Sequence, residues 1–163
     1  MKIGIVSDTH GRDERLREGL KQLLSQGAEI VVHCGDIGQE CLLALSELSV
    51  PTYAVAGNID QANLEGILAL ARAGNVTFGQ DMVVVSLGSQ GNLAATHGNK
   101  ADLLHELVSG GYSYVCHGHS HLRRNERIGR TRVINPGALH QSASFTVALL
   151  DTASDMVEFL PVP

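Results

Sequence analysis

Apolar residues fall along this chain in two different rhythms. Residues 2–7 (KIGIVS) are a short β-branched run ending at Asp8, the pattern of a buried strand. Leu16, Leu20, Leu23 and Leu24 then recur at helical spacing over residues 13–26, and Gly27 follows as a C-cap. EIVVHCGD reads as a second buried strand ending at Asp36, CLLALSEL as a helix, and PTYAVAGN as a third strand begun by Pro51. Residues 61–71 are helical again. This βαβαβα alternation predicts a parallel sheet with crossover helices.

From Asn75 the rhythm changes. VTFG, DMVVVSLG and NLAATHG are strand-like runs split by Gly, Asn and Asp with no helix between them, which predicts antiparallel strands and hairpins. A helix over 101–109 stops at Gly110-Gly111, and YSYVCHG is a further strand. HLRRNERIGRTRVINPG predicts a hairpin turning at Ile128-Gly129-Arg130, and SFTVALLDTASDMVEFLP gives two more strands. Crossovers followed by hairpins predict two packed sheets with helices outside. The 163 residues show no repeat or linker, and at about 150 residues per domain they predict one domain over 1–163.

Composition narrows the class. With 44% hydrophobic and 18% charged residues the chain is globular rather than disordered. Its formal net charge of −5 argues against stable nucleic-acid binding, which normally needs the opposite sign. Cys34, Cys41 and Cys116 are odd in number, lie in apolar runs and form no CxxC, so they read as reduced core thiols. MKIGIVSDTH lacks the features of a signal peptide, and no run approaches the 18 or so apolar residues of a membrane span. The expectation is a soluble, cytoplasmic protein with no membrane partner.

The chemistry lies in where polar residues fall. Asp8 and His10 follow the first strand, Asp36 the second, and Asn58 and Asp60 the third. His97 ends a later strand, and His117, His119 and His121 follow YVC. Carboxyl ends of strands in α/β sheets are where loops converge on ligands. Carboxylates, an amide oxygen and imidazoles form a mixed O/N set that suits a borderline divalent metal, with enough donors for two ions. Two such ions need a bridging ligand, and Asp36 is the candidate. Taken singly, D-x-H, G-D and G-N are usually turns, and H-G-H-S-H alone is ambiguous. The order of all five, each closing a strand, carries the weight.

The series SDTH (7–10), GD (35–36), GN (57–58), HG (97–98) and GHSH (118–121) resembles the five-block signature of calcineurin-like metallophosphoesterases. HCGD at 33–36, GNID at 57–60 and NPG at 135–137 are similar to its small bacterial and archaeal branch, the YfcE-like phosphodiesterases. The resemblance implies a four-layer α/β/β/α sandwich and hydrolysis of phosphate diesters by a hydroxide bridging two metals. It implies one metal on Asp8, His10, Asp36 and His121, and a second on Asp36, Asn58, His97 and His119. His119 and His121 are chosen over His117 only by the family's GHxH block. Asp36, Asn58 and His97 carry the catalytic assignment, with Asp60 added either as a partial stand-in for the acid or as a residue that only orients a neighbouring ligand. The implied cofactors are two divalent ions, manganese first, with iron, zinc or nickel also suited to these donors. Two ions would bring the formal charge to about −1 and concentrate positive charge where a phosphate binds. Small members of the family also point to a homodimer or higher homo-oligomer acting on a small phosphodiester or nucleotide.

Two departures matter. Larger members place a histidine directly after the GN asparagine, resembling a leaving-group acid, and this chain has Ile59 there. Without that acid, esters with an already acidic leaving alcohol are favoured. After NPG, where small members continue with Ser and a nearby Arg, this chain reads Ala138-Leu139-His140-Gln141. His33 reads as orienting Asp36 or its loop, His117 as a packed or supporting residue, and His105 as a surface histidine. Arg12, Arg123 and Arg124 lie near the blocks and could meet an anion. The rivals to a diesterase are a phosphomonoesterase or nucleotide phosphatase on the same site, and a non-catalytic protein-binding scaffold of the same fold.

Overall fold

The computed structural model describes all residues, 1–163. Its first half alternates as β1 (Lys2–Val6), α1 (Asp13–Ser25), β2 (Ile30–His33), α2 (Gln39–Ser46), β3 (Thr52–Val55), α3 (Leu64–Ala73) and β4 (Val76–Gly79). The second half runs β5 (Met82–Ser86), β6 (Asn92–Thr96), α4 (Ala101–Ser109), β7 (Tyr114–Cys116), β8 (Arg124–Ile128), β9 (Thr131–Asn135), β10 (Thr146–Asp151) and β11 (Met156–Pro161). They form a six-stranded sheet in the order β11-β10-β1-β2-β3-β4 and a five-stranded sheet in the order β5-β6-β7-β9-β8.

Strand alternation fixes the layers. In β1, Ile3 and Ile5 enter the core between the sheets with Val32, Leu93, Cys116 and Ile134, while Val6 joins the helix-facing core. Gly4 points to the helix side, where a Cβ would come 2.9 Å from Leu23 Cδ1, so glycine lets α1 pack tightly on β1. Leu16, Leu20 and Leu23 of α1 are buried there, while Leu24 stays partly exposed at the surface. On the far side Leu107 of α4 packs on Ala94 and Val115. The architecture is therefore helices, sheet, sheet, helix, two mixed sheets in an α/β sandwich.

The pairing after Asn75 differs in part from the antiparallel expectation. VTFG is β4 and lies parallel to β3, with Thr52 opposite Val76. It is the last strand of the first sheet, returned by α3. β6, β7 and β9 are also mutually parallel, and only β5–β6, β8–β9, β10–β11 and β1–β10 are antiparallel. A short apolar run carries no mark of its partner's direction; α3 and α4 supply it by bringing the chain back across the sheet. The consequence is that β1, β2 and β3 point their carboxyl ends the same way, as do β6, β7 and β9.

Candidate metal centre

The loops leaving these strands place the predicted residues together. Asp8, His10, Asp36, His119 and His121 all adopt left-handed backbone angles, with φ of 53°, 47°, 53°, 66° and 56°. Each such non-glycine residue costs on the order of 1–2 kcal/mol, and such residues cluster where a ligand site demands the geometry. Backbone bonds tie the loops: Asp8 N–H donates to Gly35 O at 3.0 Å, His10 N–H to Asp36 O at 2.9 Å, and Gly118 N–H to His97 O at 2.9 Å.

Asp36 stands at the middle. Its Oδ2 lies 3.2 Å from His10 Nε2 and its Oδ1 lies 3.4 Å from His97 Nε2, and Ile59 N–H donates to Oδ1 at 3.0 Å. Asp8, fully buried, lies 3.3 Å from His121 Nε2 through Oδ1 and accepts from Ser7 Oγ at 2.6 Å and from the His119 amide. Two groups of donors are close enough to share an ion: Asp8 with His10 and His121, and Asp8 with Asp36 and His97. Asn58 Oδ1 is 2.9 Å from His97 Nε2, and the His119 ring stands edge-on to His97 at 5.0 Å.

Outer partners fix which nitrogen each ring offers. His97 Nδ1 is 2.9 Å from the Cys34 carbonyl, and His121 Nδ1 is 3.2 Å from the Gln141 carbonyl, so in both rings Nε2 faces the cluster. These carbonyls are not readable from sequence, because a backbone oxygen has no residue type to betray it. His33 reaches the Asp36 loop indirectly. Its Nε2 is 3.0 Å from Thr9 Oγ1, which donates to Ile37 O at 2.9 Å. His117 is buried against the Gly118 carbonyl, Asn135 and Arg124, and His105 is exposed on α4. His140 stacks on His10 with 4.6 Å between ring centres, closer to the cluster than its place after NPG indicated.

Of its two readings Asp60 takes the orienting one, which corrects the expectation of an acid there. It is 3% exposed, and its two oxygens accept the backbone N–H groups of Ile37, Gly38 and Gly57 at 2.8–3.2 Å. It fastens the loop after β2 to the loop after β3 and has no oxygen left for a leaving group. Ile59, 38% exposed, offers no proton either. Arg124 is also committed elsewhere, paired with Glu126.

Electrostatics shows that the donor set suits a cation. Burial pushes the Asp8 carboxyl above its usual range despite Ser7, His97 and His121. Burial also raises Asp36, but the His97 hydrogen bond, the Ile59 amide and the charges of His97 and His10 outweigh it and hold it low. For His97 burial opposes protonation, and the bonds to Asp36 and Cys34 overcome it. His10 Nε2 is buried beside Asp36 Oδ2, 3.2 Å away, without an aligned hydrogen bond. A buried carboxylate disfavoured as an anion and a buried imidazole nitrogen facing a second carboxylate without an aligned bond both suit a divalent ion. The three thiols are free and buried; burial raises all three, Cys41 to about 11, so none is a reactive ligand here.

Known proteins align with this geometry. The calcineurin-like phosphoesterase superfamily domain matches residues 1–155. Phosphodiesterase MJ0936 of Methanocaldococcus jannaschii is 30% identical over 158 residues, spanning 93% of each chain. The probable metallophosphoesterase YsnB of Bacillus subtilis is 28% identical over 168 residues, covering 98% of this chain and 90% of that protein. A solved archaeal phosphodiesterase superposes with a TM-score of 0.88 at 27% identity, covering 99% of both chains. No helix is long and apolar enough to cross a membrane. With that domain matched over 1–155 and a phosphodiesterase 30% identical across 93% of the chain, the chain belongs to the calcineurin-like phosphoesterase superfamily and is a phosphoric ester hydrolase.

Proposed function

We propose that this protein hydrolyses phosphate diesters at a centre built for two divalent ions. Asp8, His10, Asp36 and His121 would hold one ion, and Asp36, Asn58, His97 and His119 the other. The observation that carries the reading is Asp36, whose two oxygens face two different histidines, His10 and His97, at 3.2 and 3.4 Å. Divalent ions in such a site supply Lewis acidity and lower the pKa of water. Manganese is the first choice for this O/N set.

The chain's own residues do the rest. Gly57 and Asp60 hold the loop that presents Asn58, and the Cys34 carbonyl holds the His97 ring, so both side chains stand preorganised, with the Asn58 amide N–H left to donate to the phosphoryl group. Preorganised donors of this kind stabilise developing charge without reorganising. Ile59 and the engaged Asp60 leave the Asn58 loop without a proton donor, which favours esters whose leaving oxygen is already acidic. The name of the M. jannaschii relative, a phosphodiesterase, supports the same choice.

The test is hydrolysis of bis-p-nitrophenyl phosphate beside p-nitrophenyl phosphate by chelator-stripped protein with and without Mn²⁺. Nitrophenolate leaves without a general acid, so Ile59 cannot mask activity. The expected result is Mn-restored cleavage, faster for the diester. Faster monoester cleavage would make the protein a phosphomonoesterase, and silence with every metal, in folded protein, would make it a binding scaffold.

A further inference from the structure

A cavity of about 320 Å³ opens directly beside His121, between residues 120–123 on one wall and 141–144 on the other. That volume lies at the lower end of small-molecule sites, roughly 300–1,000 Å³. The cavity adjoins the metal centre: Gln141 lines it, is held at φ 44°, and turns its carbonyl to His121 Nδ1 at 3.2 Å.

The chemistry of its lining is one-sided. No carboxylate lines it, and Arg123 does. Its neighbour Arg124 is paired with Glu126, but Arg123 has no acidic partner; its guanidinium lies 5.7 Å over the Phe159 ring and its stem runs past Gly137. Ser120 Oγ already accepts from Asn135 Nδ2 at 3.1 Å and from Leu122 N–H at 3.4 Å, so its own proton is left to donate. The Ser144 hydroxyl and Gln141 amide add donors on the opposite wall. An arginine paired with no acid, on the rim of a cavity with hydroxyl donors and no carboxylate, matches a phosphate group.

We infer that this cavity binds one arm of the diester, and that this arm carries a second phosphate recognised by Arg123. The inference rests on the diesterase reading and names its substrate class: a phosphorylated, nucleotide-like diester rather than one with hydrocarbon arms. Arg123 is then a specificity residue rather than part of the hydrolytic machinery.

The experiment compares thymidine 3′-(p-nitrophenyl phosphate) with and without a 5′-phosphate, in wild type and in Arg123→Gln. The scissile bond is the same in both, so only the second phosphate differs. The wild type should prefer the 5′-phosphorylated substrate by about tenfold in kcat/KM, and the variant should lose that preference. The affinities of thymidine 3′,5′-bisphosphate and thymidine 3′-phosphate, read without turnover, should show the same contrast. No wild-type preference, or a preference that survives Arg123→Gln in either readout, overturns the inference alone. If wild type cleaves neither nucleotide ester nor bis-p-nitrophenyl phosphate, the diesterase reading falls, and the inference with it.

Discussion

Asp60 looks in sequence like a spare acid and acts in the structure as a clamp. Its carboxylate accepts three backbone N–H groups from the two loops that carry Asp36 and Asn58. Asp60→Ala leaves those buried donors unsatisfied and should cost about 1.5–3 kcal/mol of unfolding free energy, measured by urea titration, with Asp60→Asn costing less. His33 gives a second prediction at this scale. Burial, reinforced by the charge of His97, lowers its pKa to about 3. Unfolded, the ring titrates near about 6.5, so between those values the unfolded chain binds more protons. His33 therefore destabilises the fold as pH falls from about 6.5 towards 3, by up to about 1.4 kcal/mol per pH unit, and His33→Gln should flatten that part of the stability profile of chelated protein. An unchanged slope in the variant would show that His33 takes up its proton in the folded chain as readily as in the unfolded one.

The elements explain why the site was readable in part. Asp8, Asp36, Asn58 and His97 close strands whose apolar runs announce themselves, so the positions of the donors were legible from spacing and glycine neighbours. Three things were not. The direction of β4 depends on α3 returning the chain, the choice of nitrogen on His97 and His121 depends on carbonyls of Cys34 and Gln141, and the role of Asp60 depends on contacts across 22 residues. Each is a non-local fact that no residue type records. Gly118 marks where the two sheets' loops meet: a Cβ there would run into Ser7 Oγ and lie 2.5 Å from Asp8 Oδ2. Gly118→Ala should thus push the β7 loop off the β1 loop while leaving both cores intact. Mn²⁺ affinity measured by calorimetry should fall roughly 10–100-fold at an unchanged circular-dichroism spectrum. Wild-type affinity in that variant would mean that the loops adjust independently.

At the scale of the molecule, two mixed sheets packed face to face bring six strand ends to one rim, and the rim collects the buried carboxylates and imidazoles. A chain of formal charge −5 can attract a phosphate there only if cations are concentrated at that rim. Everything in the account turns on Asp36 serving both halves of the centre. The most direct test is therefore a Mn²⁺ binding isotherm on chelator-stripped protein, taken with bis-p-nitrophenyl phosphate turnover, for wild type and Asp36→Ala. Each wild-type chain should bind two ions, and the variant should bind fewer and not turn over. One ion per wild-type chain, or full turnover by Asp36→Ala in a metal-quantified sample, would contradict this.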